Sequence, residues 1–309
     1  MSMPFRGVYA NLPTALDDDG ENLSPTRQKA IVRYVLENGV HGIACLLSSG
    51  EFPYLSPDER RGVVDAVLEE VNGRVPVVVG VSAFTTAEAV TFAKHAAGSG
   101  ASAVMLLPMQ YLSLTDDEVV SYFSGVAQAI DIPTGMYENT AFNAPLFSAD
   151  LYARLANEAN LRVSKNGTDS IFHIADINYA TDDRVSVLDG SHGRMLAALA
   201  IGAAGLCTSF ASVWPRACVE LYQYTQDNNF DEARQCAARI FPAMKFYHDH
   251  SLVRCVKESA EMVGYPMGPH RSPVSNLPPA DLATLRKIVE QTRFAPVRES
   301  VSLDSSDRP

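Results

Sequence analysis

The chain of 309 residues carries 25 lysine and arginine residues against 36 aspartate and glutamate residues, a formal net charge of −11 at pH 7. This acidic balance argues against a nucleic-acid partner, because phosphate backbones bind basic surfaces. No apolar run reaches the roughly 20 residues that span a bilayer, and residues 1–9 lack the charged and apolar segments of a secretion signal. We therefore expect a cytoplasmic protein without a membrane span.

From the N-terminus to about residue 226, apolar runs alternate with amphipathic helical stretches. Eight apolar runs are predicted to be strands: Phe5–Ala10, Gly42–Leu47, Val75–Val81, Ala103–Leu107, Thr134–Tyr137, Arg162–Lys165, Val185–Asp189 and Gly205–Ser209. Continuous apolar runs are typical of parallel strands covered by helices on both faces. Eight strand–helix units in about 225 residues predict an α/β fold, a (β/α)8 TIM barrel. An open doubly wound sheet is the alternative, but no GxGxxG follows the first strand.

Helix start signals lie between the predicted strands. Ser56 has Glu59 three residues later, and Thr115 has Glu118 at the same spacing. This spacing predicts capping boxes, in which the two residues satisfy each other's backbone N–H groups.

After about residue 226 the alternation stops. Three further helices are predicted there without strands between them: Asp231–His248, Ser251–Val263 and Pro279–Thr292. We therefore expect a barrel with the active site over residues 1–227, a C-terminal helical region over residues 228–294 and a frayed polar tail over residues 295–309.

Polar side chains follow three predicted strands at their C-terminal ends, where barrel enzymes carry their chemistry. Lys165 ends the sixth strand, Tyr137 ends the fifth, and Ser48, Ser49 and Gly50 follow the second. Lys165 is open to two interpretations: an exposed lysine at a strand end, or a lysine that forms a Schiff base with a carbonyl. A Schiff-base lysine attacks as the neutral amine, and desolvation in a barrel mouth disfavours the ammonium form.

Tyr137 is either a core aromatic residue or a general acid–base. Free tyrosine loses its proton only near pH 10, so the second role needs help from neighbouring hydroxyl groups. The turn at Ser48 and Ser49 offers hydroxyl and backbone N–H groups to a carboxylate. The alternative is an ordinary cap for the following helix, a role that Ser56 already fills.

Cysteines and histidines show no metal-binding spacing. The five cysteines include no CxxC pair, and the seven histidines are scattered along the chain. This usage favours buried, reduced thiols, and we expect no metal site.

The segments Leu46–Glu51 and Leu55–Arg60 resemble two motifs of the dihydrodipicolinate synthase / N-acetylneuraminate lyase family: the Gly-Thr-Thr-Gly-Glu segment and the Leu-Ser-x-x-Glu-Arg pattern that follows it. Tyr137 and Lys165 fall in the family's order and spacing, and Gly190 matches a further family glycine. The resemblance covers roughly residues 4–292.

The resemblance implies a Schiff-base lyase or aldolase that acts on pyruvate or another 2-oxo acid. Lys165 would form the imine and Tyr137 would transfer protons. Ser48 and Ser49 would hold the substrate carboxylate, with Ser49 also linking Tyr137 into a hydroxyl relay. Gly190 would lie in the substrate site. Family members are usually homotetramers, dimers of dimers, and need no metal or organic cofactor.

Three departures from the family pattern bear on the substrate. Phe142 replaces the arginine that grips the second carboxylate in dihydrodipicolinate synthases. Met109 and Gln110 replace a Tyr-Tyr pair, and Tyr111 comes one position late, so either Gln110 or Tyr111 would replace the tyrosine that crosses the dimer interface. Tyr111 is also expected to be a substrate-binding residue. His192 stands where neuraminate lyases carry an acidic pair.

We therefore expect a lyase for a 2-oxo acid with a neutral tail, with retro-aldol cleavage favoured over dehydration. Phe142, Met109 and Phe210 suggest a less polar distal pocket. One alternative is a 4-hydroxy-tetrahydrodipicolinate synthase with altered carboxylate recognition, in which Arg194 is the candidate for the missing cation. The other alternative is a non-catalytic barrel that binds 2-oxo acids.

Overall fold

A computed structural model describes residues 5–139, 146–168, 170–191 and 193–292. Its strands are β1 (Gly7–Asn11), β2 (Gly42–Cys45), β3 (Val77–Gly80), β4 (Ala103–Leu106), β5 (Thr134–Glu138), β6 (Leu161–Asn166), β7 (Ser186–Asp189) and β8 (Gly205–Thr208). All pair in parallel in sequence order, and β1 also pairs with β8, which closes the barrel. The predicted (β/α)8 fold is confirmed, with strand ends displaced by at most two residues.

A helix follows each strand. These helices are α1 (Pro25–Glu37), α2 (Pro57–Val71), α3 (Thr86–Gly98), α4 (Asp116–Ala127), α5 (Ala149–Glu158), α6 (Phe172–Thr181), α7 (Met195–Ala200) and α8 (Pro215–Gln226). The capping boxes predicted at Ser56 and Thr115 are both present at the starts of α2 and α4. In the described part of the chain, no helix is long and apolar enough to cross a membrane.

Three helices follow the barrel: α9 (Phe230–Asp249), α10 (Leu252–Met262) and α11 (Pro279–Gln291). α9 contacts α8 and α11, and α10 contacts the short 3₁₀ turn Ser48–Gly50 that follows β2. The C-terminal helices therefore reach the mouth of the barrel. The tail predicted from residue 295 lies outside the described residues.

Side chains along the strands alternate between the barrel interior and the layer under the helices. Tyr137 and Leu188 belong to the buried cluster inside the barrel, whereas their neighbours Met136 and Val187 belong to the larger cluster under the helices. In the β5–β6 register Tyr137 lies opposite Lys165, so both side chains belong to the same face of the sheet.

Candidate active site

Lys165 and Tyr137 meet inside the mouth of the barrel. Lys165 is 3% exposed and Tyr137 is fully buried, and the lysine Nζ lies 4.1 Å from the centroid of the tyrosine ring. A Cβ atom on Gly190, directly after β7, would lie only 2.7 Å from the Cε of Lys165. Any larger residue at position 190 would therefore displace the lysine, and the structure brings these three predicted site residues together.

The hydroxyl group of Tyr137 has two polar partners. It donates to Oγ of Ser48 at 3.1 Å and accepts from Nδ2 of Asn139 at 2.7 Å. The family resemblance implied that Ser49 makes the link to Tyr137, but in the structure Ser48 makes it. The reason is geometric, because successive side chains in a 3₁₀ turn point about 120° apart and so meet different neighbours.

Ser49 belongs to a second polar group on the opposite side of the mouth. It is fully buried and hydrogen-bonded to Oγ of Ser209, and Nδ2 of Asn11 donates to both hydroxyls, at 3.3 Å and 3.2 Å. Oδ1 of Asn11 is buried without a partner among the described residues. The sequence reasoning missed Asn11 and Ser209, although both lie at C-terminal strand ends, which was the available signal.

The backbone around this serine turn is strained. Leu46 and Glu51, which flank it, both have left-handed backbone conformations, with φ of 56° and 50°. Such conformations cost about 1–3 kcal/mol each in non-glycine residues and persist only where the surroundings hold them. Part of the support is a hydrogen bond of 2.7 Å from the Thr14 hydroxyl to the Gly50 carbonyl.

The rest of the support comes from the C-terminal region through Glu51, which is 6% exposed. Its carboxylate oxygens lie 2.7 Å from Nζ of Lys257 in α10 and 2.7 Å from Nδ1 of His270. Burial by itself raises the pKa of Glu51, but the hydrogen bond from His270 and the charge of Lys257 outweigh it and lower that pKa. The carboxylate therefore stays ionised and clamps the serine turn to the C-terminal helices.

We expect Glu51→Gln to destabilise the fold by about 3–5 kcal/mol, since it leaves the Lys257 ammonium buried without its counter-charge. Denaturant unfolding at pH 7 measures this loss. Glu51→Gln combined with Lys257→Met is the matched control and should recover most of the lost stability, because no unpaired charge remains.

The lowered pKa of Glu51 determines how the stability of the wild-type protein depends on pH. The ionised carboxylate stabilises the fold above about pH 4.5, and this stabilisation is lost as the pH falls below that value. A loss under 1 kcal/mol for the single variant would contradict the clamp.

Arg194, the candidate for the missing cation, is held by Asp189 at the end of β7. Its Nε and Nη2 donate to one carboxylate oxygen of Asp189 at 3.3 Å and 3.1 Å. Burial raises the pKa of Asp189 to about 7, even though the positive charges of Arg194 and Lys165 act in the opposite direction. The guanidinium is thus already engaged, and only Nη1 is buried without a partner among the described residues.

Two further residues from the sequence analysis, Tyr111 and Phe210, have other surroundings in the described chain. Tyr111 is 92% exposed in this chain. Phe210, expected beside the distal pocket, is fully buried and packs against Trp214 and Tyr247. Phe142 and His192 lie outside the described residues.

No group of three or more histidine, cysteine, aspartate or glutamate side chains in the described ranges is placed to hold a metal ion. Lys165 and Tyr137 are accompanied at the mouth by neutral hydroxyl and amide groups, and the Asp189–Arg194 ion pair lies at the end of β7. Such a set can supply an amine nucleophile, a proton-transfer group and hydrogen bonds to an anion.

The fold and this grouping of side chains define a lyase built on a (β/α)8 barrel. The chain belongs to the dihydrodipicolinate synthetase family, whose model matches residues 4–292. It is 33% identical to a DapA-like lyase of uncharacterised activity from Halobacterium salinarum, over 91% of this chain and 92% of the relative. It is 28% identical to the 4-hydroxy-tetrahydrodipicolinate synthase of Methanocaldococcus jannaschii, over 88% of this chain and 93% of that enzyme.

A solved structure supports the same assignment. The crystal structure of dihydrodipicolinate synthase from Aquifex aeolicus superposes with a TM-score of 0.89 at 26% identity, and the match covers 93% of this chain and 98% of that one. The fold and the family predicted from the sequence are therefore both confirmed.

Proposed function

We propose that the protein cleaves a 2-oxo acid through an imine formed by Lys165, with pyruvate as the retained product. The observation that carries this proposal is the position of Nζ of Lys165, 4.1 Å from the ring of Tyr137 inside the closed barrel. An amine and a phenol at this separation can both reach one small substrate. No other lysine among the described residues has the same relation to a tyrosine ring.

The reaction begins when the Lys165 amine attacks the C2 carbonyl of the substrate. The oxygen takes up one proton from solvent and leaves as water, giving a protonated imine, and Tyr137 releases its hydroxyl hydrogen to solvent through Ser48. Tyr137 then removes the proton of the C4 hydroxyl group. The C3–C4 bond breaks, its electron pair passes into the imine to form an enamine, and an aldehyde departs. Protonation at C3 and hydrolysis release pyruvate and restore the lysine.

The substrate carboxylate is proposed to bind at the serine turn. Ser48 and Ser49 present hydroxyl groups at the mouth, and Asn11 and Ser209 hold Ser49 in place. Because these donors carry no charge, they orient the substrate carboxylate without weakening the protonated imine as an electron acceptor. Tyr137 lies on the Ser48 side, which places the proton-transfer group next to the bound acid.

The substrate tail is proposed to be neutral. The sequence has Phe142 where the family's arginine would pair with a second carboxylate, and Arg194 is already bound to Asp189. A second substrate carboxylate would therefore be buried without a partner, which costs several kcal/mol.

We expect 4-hydroxy-2-oxo acids with neutral tails to be cleaved with a kcat/KM at least roughly 100-fold above that for condensation of pyruvate with aspartate semialdehyde. Coupled detection of released pyruvate and a condensation assay measure the two values. Phe142→Arg, which restores the family residue, should raise the aspartate semialdehyde activity. A wild-type kcat/KM of about 10⁴ M⁻¹s⁻¹ or more with aspartate semialdehyde would favour the synthase activity that the Methanocaldococcus relative's name states.

We also propose a cytoplasmic homotetramer. Two exposed apolar pairs support self-association: Tyr111 and Leu112 after β4 are 92% and 74% exposed, and Phe172 and Tyr179 on α6 are 71% and 92% exposed. Apolar patches of this kind mark protein interfaces. All five cysteines are buried and free, which supports a reducing compartment.

A further inference from the structure

Asn139 touches the reacting oxygen of Tyr137 although it belongs to no family motif quoted above. It lies one residue beyond the end of β5, and its Nδ2 donates to the phenol oxygen at 2.7 Å. Residues two apart in an extended chain share a face, which places Asn139 on the same side as Tyr137. The phenol oxygen thus receives one hydrogen bond, from Asn139, and donates another, to Ser48.

The backbone that carries Asn139 is anchored by Glu138, which is fully buried on the other side of the strand. One carboxylate oxygen accepts from the backbone N–H of Phe147 at 2.5 Å. The other accepts from the Tyr152 hydroxyl at 2.9 Å and lies 2.7 Å from Nε2 of His173. A buried carboxylate with three partners is costly to move, so the residue after it is held in place.

Gly167, directly after β6, makes room for the amide. A Cβ atom there would lie 3.3 Å from both Cγ and Nδ2 of Asn139 and 2.9 Å from the carbonyl oxygen of Glu138. The N–H of Gly167 instead donates to that carbonyl at 2.8 Å. The ends of β5 and β6 therefore approach closely, with the Asn139 amide between them. β6 is also the strand that carries Lys165.

We propose that Asn139 is a positioning residue for proton transfer by Tyr137, an inference that rests on the proposed imine chemistry. Its amide directs the phenol hydrogen toward Ser48 and stabilises the negative charge that the oxygen acquires when it loses that hydrogen. Tyr111 is 92% exposed in this chain, whereas Asn139 supplies a second hydrogen bond to the phenol from within the same chain.

Exchange of the C3 hydrogens of pyruvate in deuterium oxide tests this role without knowledge of the aldehyde. Tyr137, after it releases its hydroxyl hydrogen through Ser48, accepts a C3 proton from the protonated imine, the C–H electron pair becomes the C2–C3 double bond, and the iminium nitrogen becomes neutral. Reversal of the step returns a deuteron to C3. The exchange rate, followed by proton NMR, reports the transfer, and borohydride trapping reports the imine separately.

We expect Asn139→Ala to slow exchange by roughly 10-fold to 100-fold, the usual effect of losing a hydrogen bond to a charged group. The nearly isosteric Asn139→Asp should have the same effect, because an ionised aspartate has no hydrogen to donate. Trapping of the pyruvate imine should stay at the wild-type level. In the Tyr137→Phe background the Asn139→Ala change should slow exchange by less than about 3-fold further, since residues that act as a unit are not additive.

The outcomes separate the two proposals. Exchange at the wild-type rate in both Asn139 variants, or the same fold loss with and without the Tyr137 hydroxyl, overturns the role of Asn139 while the imine is still trapped. Absence of any trapped imine in the wild-type protein refutes the proposed function, and this inference with it.

Discussion

Replacement of Lys165 by alanine is expected to abolish turnover, with a loss of roughly 10⁴-fold or more, because the amine is the nucleophile of the proposed reaction. Borohydride treatment of the wild-type protein with pyruvate should attach one reduced pyruvyl group per chain. Peptide mass mapping should find it on the peptide that contains Lys165. The lysine is 3% exposed, and its Nζ lies beside the ring of Tyr137.

Lys257 is the internal control for this experiment. It is also 3% exposed, but its Nζ is bound to Glu51 and to the Pro269 carbonyl at 3.2 Å, away from Tyr137. Its peptide should stay unlabelled. Lys165→Arg keeps the positive charge without an amine that forms a stable imine, so it should be as inactive as Lys165→Ala. Labelling that persists in Lys165→Ala would assign the imine to another residue.

Tyr137→Phe is expected to lower turnover by roughly 10²-fold to 10⁴-fold, the usual contribution of a positioned general acid–base. Imine formation should continue, since Lys165 and the serine turn are untouched. The ring also keeps its contact with Nζ of Lys165, so the loss reports the hydroxyl group alone. Steady-state kinetics and borohydride trapping on the same samples separate the two steps.

Tyr122→Phe provides the matched control, because Tyr122 is another buried tyrosine, whose hydroxyl donates to the Ala83 carbonyl at 3.0 Å from α4. The same hydroxyl accepts from the Ala83 N–H at 3.3 Å, so the variant loses two hydrogen bonds, as Tyr137→Phe does, and should still keep turnover within a few-fold of wild type. Similar losses in the two variants would show that general destabilisation, and not proton transfer, explains the effect of Tyr137→Phe.

Local sequence patterns determined the strand–helix order and the position of the lysine–tyrosine pair. Each apolar run and each helix cap is set by a few consecutive residues. Both can therefore be recognised without knowing which residues they contact in the folded protein. Once eight parallel strands are assigned, the ends of β5 and β6 must share one rim. The meeting of Tyr137 and Lys165 follows from that arrangement.

Only the tertiary structure decided which polar groups meet around this pair. Asn11 reaches Ser209 across 198 positions because closure of the barrel brings β1 beside β8, and Glu51 reaches His270 across 219 positions because the C-terminal helices return to the mouth. The choice of Ser48 over Ser49 as the partner of Tyr137 depends on the rotation of a three-residue turn. Hydrophobic periodicity carries no information on such contacts, since they depend on side-chain direction and on chain closure over long separations.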